Sequence, residues 1–291
     1  MRDRHWGWLA SVYVALCLLL GGASAAGAVA NGFLQVAGLA ILVLLAWVRG
    51  EPRSLPQGTW TLVALVCAFL LWGLVQLVPL PWGLWSGLPG RPPIAEALGL
   101  LGAEPATMPL SLAPVRTVDS LLWLIPPSAV FFLLLRLPSS ERRRVAMAAL
   151  GVALLSIALG AFQVLGGDQS PLRFYDITNP TSPVGFFSNK NHLATLLLCS
   201  LPVAAALAGR NAGKDRDSSR RHSARMVYGS VGLFIAIGVA INGSMAGYGL
   251  LLPAAFASLL IYRRAATGKT SGKGLLLLVG LLVAFIGFSA F

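Results

Sequence analysis

Residues 59–80 read "TWTLVALVCAFLLWGLVQLVPL", a run without a single charged side chain. A hydrocarbon core about 30 Å thick is crossed by roughly 20 apolar residues in an α-helix, so the length and character of this run predict a transmembrane helix. Eight further runs of the same kind flank it, at 7–28, 31–48, 118–135, 145–165, 190–209, 226–242, 246–262 and 274–291. The whole chain is 56% apolar and 11% charged, a balance outside the range of soluble domains. No run alternates apolar and polar residues with period two, which argues against an outer-membrane barrel. The expected fold is all-α: a polytopic membrane helical bundle of about nine transmembrane helices, forming a single transmembrane domain over residues 1–291. Small residues, as in "GGASAAGAVANG" from Gly21, let such helices approach closely.

The formal charge of +12 invites a nucleic-acid reading, which its distribution removes. Basic residues follow every second run: Arg2 and Arg4 precede the first, Arg49 and Arg53 follow the second, and Arg136 and Arg142 to Arg144 follow the fourth. Arg210, Lys214, Arg216, Arg220, Arg221 and Arg225 follow the sixth, and Arg263, Arg264, Lys269 and Lys273 follow the eighth. Only Arg91, Arg116, Arg173 and Lys190 remain for the other side. By the positive-inside rule the amino terminus is expected in the cytoplasm, residues 210–225 form a basic cytoplasmic loop, and residues 79–117 and 166–189 form loops on the far face. The charge is a topology signal, and the partners it implies are membrane lipids and no nucleic acid.

The first run has a basic start and small residues at Ala23 and Ala25, so it also resembles a signal peptide; apolar character resumes at once at 31, which favours a retained span. Cys17, Cys67 and Cys199 lie far apart in apolar runs and give no disulfide or metal pattern. "GKTSGKG" at 268–274 has Arg263 where a phosphate loop needs its first glycine. In the 79–117 loop, Trp82 and Trp85 suit the headgroup zone, and "PPIAEALGLLG" is expected to form a short helix after Pro92 and Pro93.

No acidic residue falls near the centre of a run, which argues against ion pumping. Polar residues gather instead at the start of the sixth run, "GFFSNKNHLATLLL" from Gly185 to Leu198. Ser188, Asn189 or Asn191 serves as a helix cap. Lys190, with Arg173 nearby in sequence, adds positive charge to a helix start, a combination suited to a phosphate. Arg116, at the start of the fourth run, and His192 are expected on the same outer side, and with Arg173, Lys190 and Asn191 they make up the candidate substrate-binding residues. No catalytic residue, metal or cofactor is assigned.

Together "GFFSNKNHLATLLLCSLPVAAAL", "PLSLAPVRT" at 109–117 and "INGSMAGYGLLLPA" from Ile241 resemble the O-antigen ligase and O-antigen polymerase family of bacterial membrane glycosyltransferases, over roughly Trp60 to Leu260. The resemblance implies a multi-pass protein of the bacterial inner membrane. It also implies transfer, on the periplasmic side, of a glycan from an undecaprenyl diphosphate donor to a lipid A core or glycan acceptor, without metal or nucleotide sugar. In this family arginines hold the diphosphate, and a histidine in a large later periplasmic loop assists the acceptor. Here Met245 replaces the arginine of the Ser-Arg-Gly turn, and the sequence ends at Phe291 before such a loop. The expectations left open are an amino-terminal part of a longer ligase or polymerase, a non-catalytic truncated homologue, and a lipid-linked glycan transporter or flippase.

Overall fold

The computed structural model describes residues 3–22, 27–48, 58–214 and 218–268, with isolated positions between 272 and 280. Most of the expected ninth run, the signal-like Ala23 and Ala25, and the cations Arg2, Arg49, Arg53, Arg216, Lys269 and Lys273 lie outside the described residues. Among the described residues helix predominates and strand is nearly absent, and six described helices are long and apolar enough to cross a membrane: 28–47, 114–136, 139–165, 190–211, 225–242 and 245–267. It is a multi-pass helical membrane protein.

The chain divides into two compact units, residues 1–31 with 137–291, and residues 32–136. The first contains α1 (Asp3–Leu20), α8 (Ser139–Leu165), α9 (Lys190–Lys214), α10 (Ser218–Asn242) and α11 (Met245–Thr267). Its core is built on α9, which packs against both α10 and α11. Leu193, Leu197, Leu201, Ala204 and Leu207 recur on one face of α9 and meet Ile235 and Val239 of α10. α1 lies along α8, and their contact is close because residue 7 is glycine: a Cβ there would run into the Glu141 carboxylate. Glu141 in turn pairs with Arg144, whose guanidinium stands 4.9 Å over the Trp8 ring. The expected 210–225 loop is largely helical, since α9 continues to Lys214 and α10 begins at Ser218.

The second unit holds most of α2 (Ala28–Trp47), then α3 (Thr59–Val75), β1 (Pro79–Pro81), α4 (Trp82–Ser86), α5 (Pro92–Leu100), β2 (Thr107–Pro109), α6 (Pro114–Trp123) and α7 (Ile125–Arg136). The 59–80 run is not helical throughout. α3 stops at Val75, and Pro79, unable to supply an N–H to a continuing helix, opens a short strand instead. β1 and β2 pair antiparallel, Pro79 with Pro109 and Pro81 with Thr107. The 118–135 run begins earlier than expected, at Pro114, and is interrupted at Leu124, just ahead of Pro126 and Pro127.

Between the strands the loop is arranged around Trp85, which is fully buried. Its indole Nε1 donates to the Pro109 carbonyl at 2.8 Å, its ring stacks on Trp82, and the Arg91 guanidinium sits 5.0 Å above it. The helix expected at Pro92 forms, with proline in its first turn. "PLSLAPVRT" has a structural role here: the Ser111 hydroxyl bonds Thr117 Oγ1 at 2.7 Å and accepts from Ala113 N–H, closing the start of α6.

Candidate functional site

The segment 166–189 enters α9 without regular structure, yet it is held at many points. Its principal clamp is Gln163, near the end of α8 and wholly buried. The Gln163 amide donates to the carbonyls of Leu172 (2.9 Å) and Gly185 (2.8 Å) and accepts from the N–H groups of Val184 (3.1 Å) and Gly185 (2.9 Å). All four hydrogen-bonding positions of the side chain are used. Gly185 sits at φ 59°, a left-handed conformation, and a Cβ there would lie 2.9 Å from Ser156 on α8. Asn242, also buried, donates to the Pro183 carbonyl, and Ser188 N–H donates to the Gly22 carbonyl. Tyr175 donates weakly to the Phe186 carbonyl, and burial pushes its phenol pKa up.

The opening N–H groups of α9 are all satisfied within the chain. Lys190 N–H donates to Asn179 Oδ1, Asn191 N–H to Asn189 Oδ1, and the N–H groups of His192 and Leu193 to the Asn189 carbonyl. Asn179 and Asn189 together therefore do the capping that one residue ordinarily does. Anion affinity at this place has to come from side chains and the field of the helix, with no free backbone donor at the α9 start.

Those side chains are arranged as follows. Lys190 Nζ donates to the Gly243 carbonyl (3.1 Å), which occupies one of its three donors. Asn191 Oδ1 accepts from Ser244 Oγ (2.8 Å), and Ser244 is the cap of α11, accepting from Gly247 N–H. The starts of α9 and α11 are thus tied side by side, and their positive dipole ends add. Arg173 donates through Nη1 to the carbonyls of Asn179 (3.0 Å) and Ser182 (3.1 Å). Its Nε and Nη2 are buried and have no partner. Ser188 Oγ and Asn242 Oδ1 are likewise buried and unpartnered. His192 is exposed, its ring edge-on to Phe187 at 6.4 Å.

Arg173, Lys190 and Asn191 are therefore brought together through Asn179 and the 243–244 turn, with His192 one position further along α9. Arg116 belongs to the other unit, exposed on the first turn of α6. Met245, on the first turn of α11, is 81% exposed next to Ser244. Among the described residues no group of three or more His, Cys, Asp or Glu is placed to hold a metal.

The fold and this cluster define a helical multi-pass membrane protein with a polar, cation-bearing site where two helices begin. No protein-family model, no curated protein and no solved structure matches the chain.

Proposed function

We propose that the protein is an O-antigen ligase-like membrane protein of the bacterial inner membrane, working in surface polysaccharide assembly on a glycan carried by undecaprenyl diphosphate. The reading places about nine spans in the membrane with the amino terminus in the cytoplasm, so that the cluster around Lys190 faces the periplasm. The observation that carries it is Arg173. Two of its guanidinium donors are buried without a partner, and an unpaired charged donor costs more than a neutral one, so the site favours an anion that takes both. A diphosphate brings several acceptor oxygens, and Lys190 keeps two donors free for it. The motif resemblance supplies the class of carrier, and the acceptor in this reading is a lipid A core or another glycan.

Purified protein titrated with undecaprenyl-diphosphate-linked glycan tests the reading. Arg173→Ala and Lys190→Ala are each expected to weaken binding about tenfold or more, the loss of a charge-assisted hydrogen bond being about 1.5–3 kcal/mol. Melting curves on both variants check that the 166–189 segment stays docked. Unchanged affinity in both sinks the assignment. In the source bacterium, loss of the gene is expected to lower surface polymer and raise lipid-linked precursor.

A further inference from the structure

At the end of the first unit away from Lys190, the three helices that share the α9 core leave a cavity of about 700 Å³. Its α10 wall is Arg225, Gly229, Gly232 and Ala236, residues that fall on one helical stripe. Its α11 wall is Leu252, Ala255, Leu259 and Tyr262, a second stripe, and Ala204 and Ala208 of α9 form the floor. Facing small residues normally let two membrane helices close on each other. Here α9 packs against both neighbours while the space between these α10 and α11 stripes stays open.

The dimensions and charge of the opening identify its occupant. From Arg225 to Ala236 the stripe is about 16 Å long at the helical rise, half of an apolar core about 30 Å thick, and so the depth of one leaflet. The volume lies within the ordinary range for ligand pockets, and the wall is apolar apart from Arg225, Ser258 and the hydroxyl-bearing Tyr228 and Tyr262. Arg225 is exposed, and neither a hydrogen bond nor an ion pair to a described residue occupies its guanidinium. Arg263 and Arg264 follow Tyr262 directly, Arg210 lies two residues beyond Ala208, and none of α9, α10 or α11 carries an acidic residue. We propose that the groove is a lipid site for an anionic phospholipid, one acyl chain lying between α10 and α11 and its phosphate on Arg225. A guanidinium grips a phosphate through paired N–H donors, and the neighbouring arginines add attraction for a negative headgroup over a neutral one. The site lies at the opposite end of the helices from Lys190 and does not depend on the glycan-carrier reading.

The glycines give a clean test, because a Cβ at Gly229 or at Gly232 meets no atom within 4 Å. Gly232→Leu therefore starts its side chain from open space on the groove wall and projects it into the groove, and Gly229→Leu is a second filling. Delipidated protein is titrated with phosphatidylglycerol and with phosphatidylcholine of the same chains, and bound lipid is counted by native mass spectrometry. Wild type is expected to bind phosphatidylglycerol about tenfold more tightly, Arg225→Gln to lose that preference, and each filled variant to lose about tenfold for both lipids, with melting temperatures near wild type. Equal binding of the two lipids by wild type overturns the proposal, as does phosphatidylglycerol binding unaffected by both fillings. So does a wild-type oligomer that the fillings dissociate, since a second copy would then be what covers the groove.

Discussion

Replacing Gln163 by leucine keeps the volume of the side chain and removes its four hydrogen bonds. Three of the backbone groups it serves, Val184 N–H, Gly185 N–H and Gly185 C=O, are buried and have no water to turn to. At the low end of about 1 kcal/mol for each stranded group, docking of the 166–189 segment loses about 3 kcal/mol, with the Leu172 carbonyl adding less because it is only partly buried. That is roughly a hundredfold more of the undocked form. Arg173, held half-buried within the segment, reports on it directly, since trypsin cleaves after arginine only when the chain around it is released. Where opening and closing are fast compared with cleavage, the rate of cut between Arg173 and Phe174 follows the undocked population. The expected result in detergent solution is a rise of about a hundredfold in that cleavage, read by mass spectrometry, with cleavage in the 210–225 region as the internal standard. A rate equal to wild type would refute the idea that Gln163 holds the segment in place.

Other outcomes follow from single contacts. Gly185→Ala forces a Cβ into the left-handed region and against Ser156, and should lower stability by about 2 kcal/mol or more in a thermal melt. Ser244→Ala removes the cap of α11 and the partner of Asn191, a loss of about 1–2 kcal/mol measurable by denaturant unfolding in mixed micelles. Trp85→Phe leaves the Pro109 carbonyl unpaired and should speed amide exchange at Leu80 and Met108, which flank it in the β1–β2 pairing, while α9 is unaffected. The raised pKa of Tyr175 means that the neutral phenol is favoured by the docked segment. Its contribution is full below about pH 10 and is lost as pH climbs through the raised value, so trypsin cleavage at Arg173 should increase in that window and should lose this dependence in Tyr175→Phe.

The apolar runs made most of the architecture legible, because a helix that must satisfy its backbone without water announces itself by length and by missing charge. α8, α9, α10 and α11 each contain their run, with α9 and α10 extending beyond it into the expected 210–225 loop. The run at 59–80 misleads because hydropathy does not distinguish a helical valine from one ahead of a proline-led strand, and Gln76 together with Pro79 was the available signal. The partner of Trp85 was not legible either, since its indole bonds a carbonyl 24 residues away. At the candidate site, the crowd of polar residues before α9 was visible, and so was the need for a cap. What the residues bond was not visible, since Gly243 and Ser244 are 53 positions further on and come to Lys190 and Asn191 only through packing of α9 against α11. Gln163 left one clue, a lone amide among apolar neighbours near the end of its run.

The bonds from Lys190 to Gly243 and from Asn191 to Ser244 also set an order of events in the ribosome-bound chain. When α9 emerges, its polar end lacks both partners, and at about 5–20 residues per second the next 53 residues take on the order of 3–10 seconds to be made. Throughout that interval Asn179 and Asn189 can already cap the helix, being earlier in the chain, while Lys190 and Asn191 must find water. The turn between α10 and α11 arrives last and acts as a latch: the side-chain contacts of Lys190 and Asn191 are completed only when the following helical hairpin has been delivered.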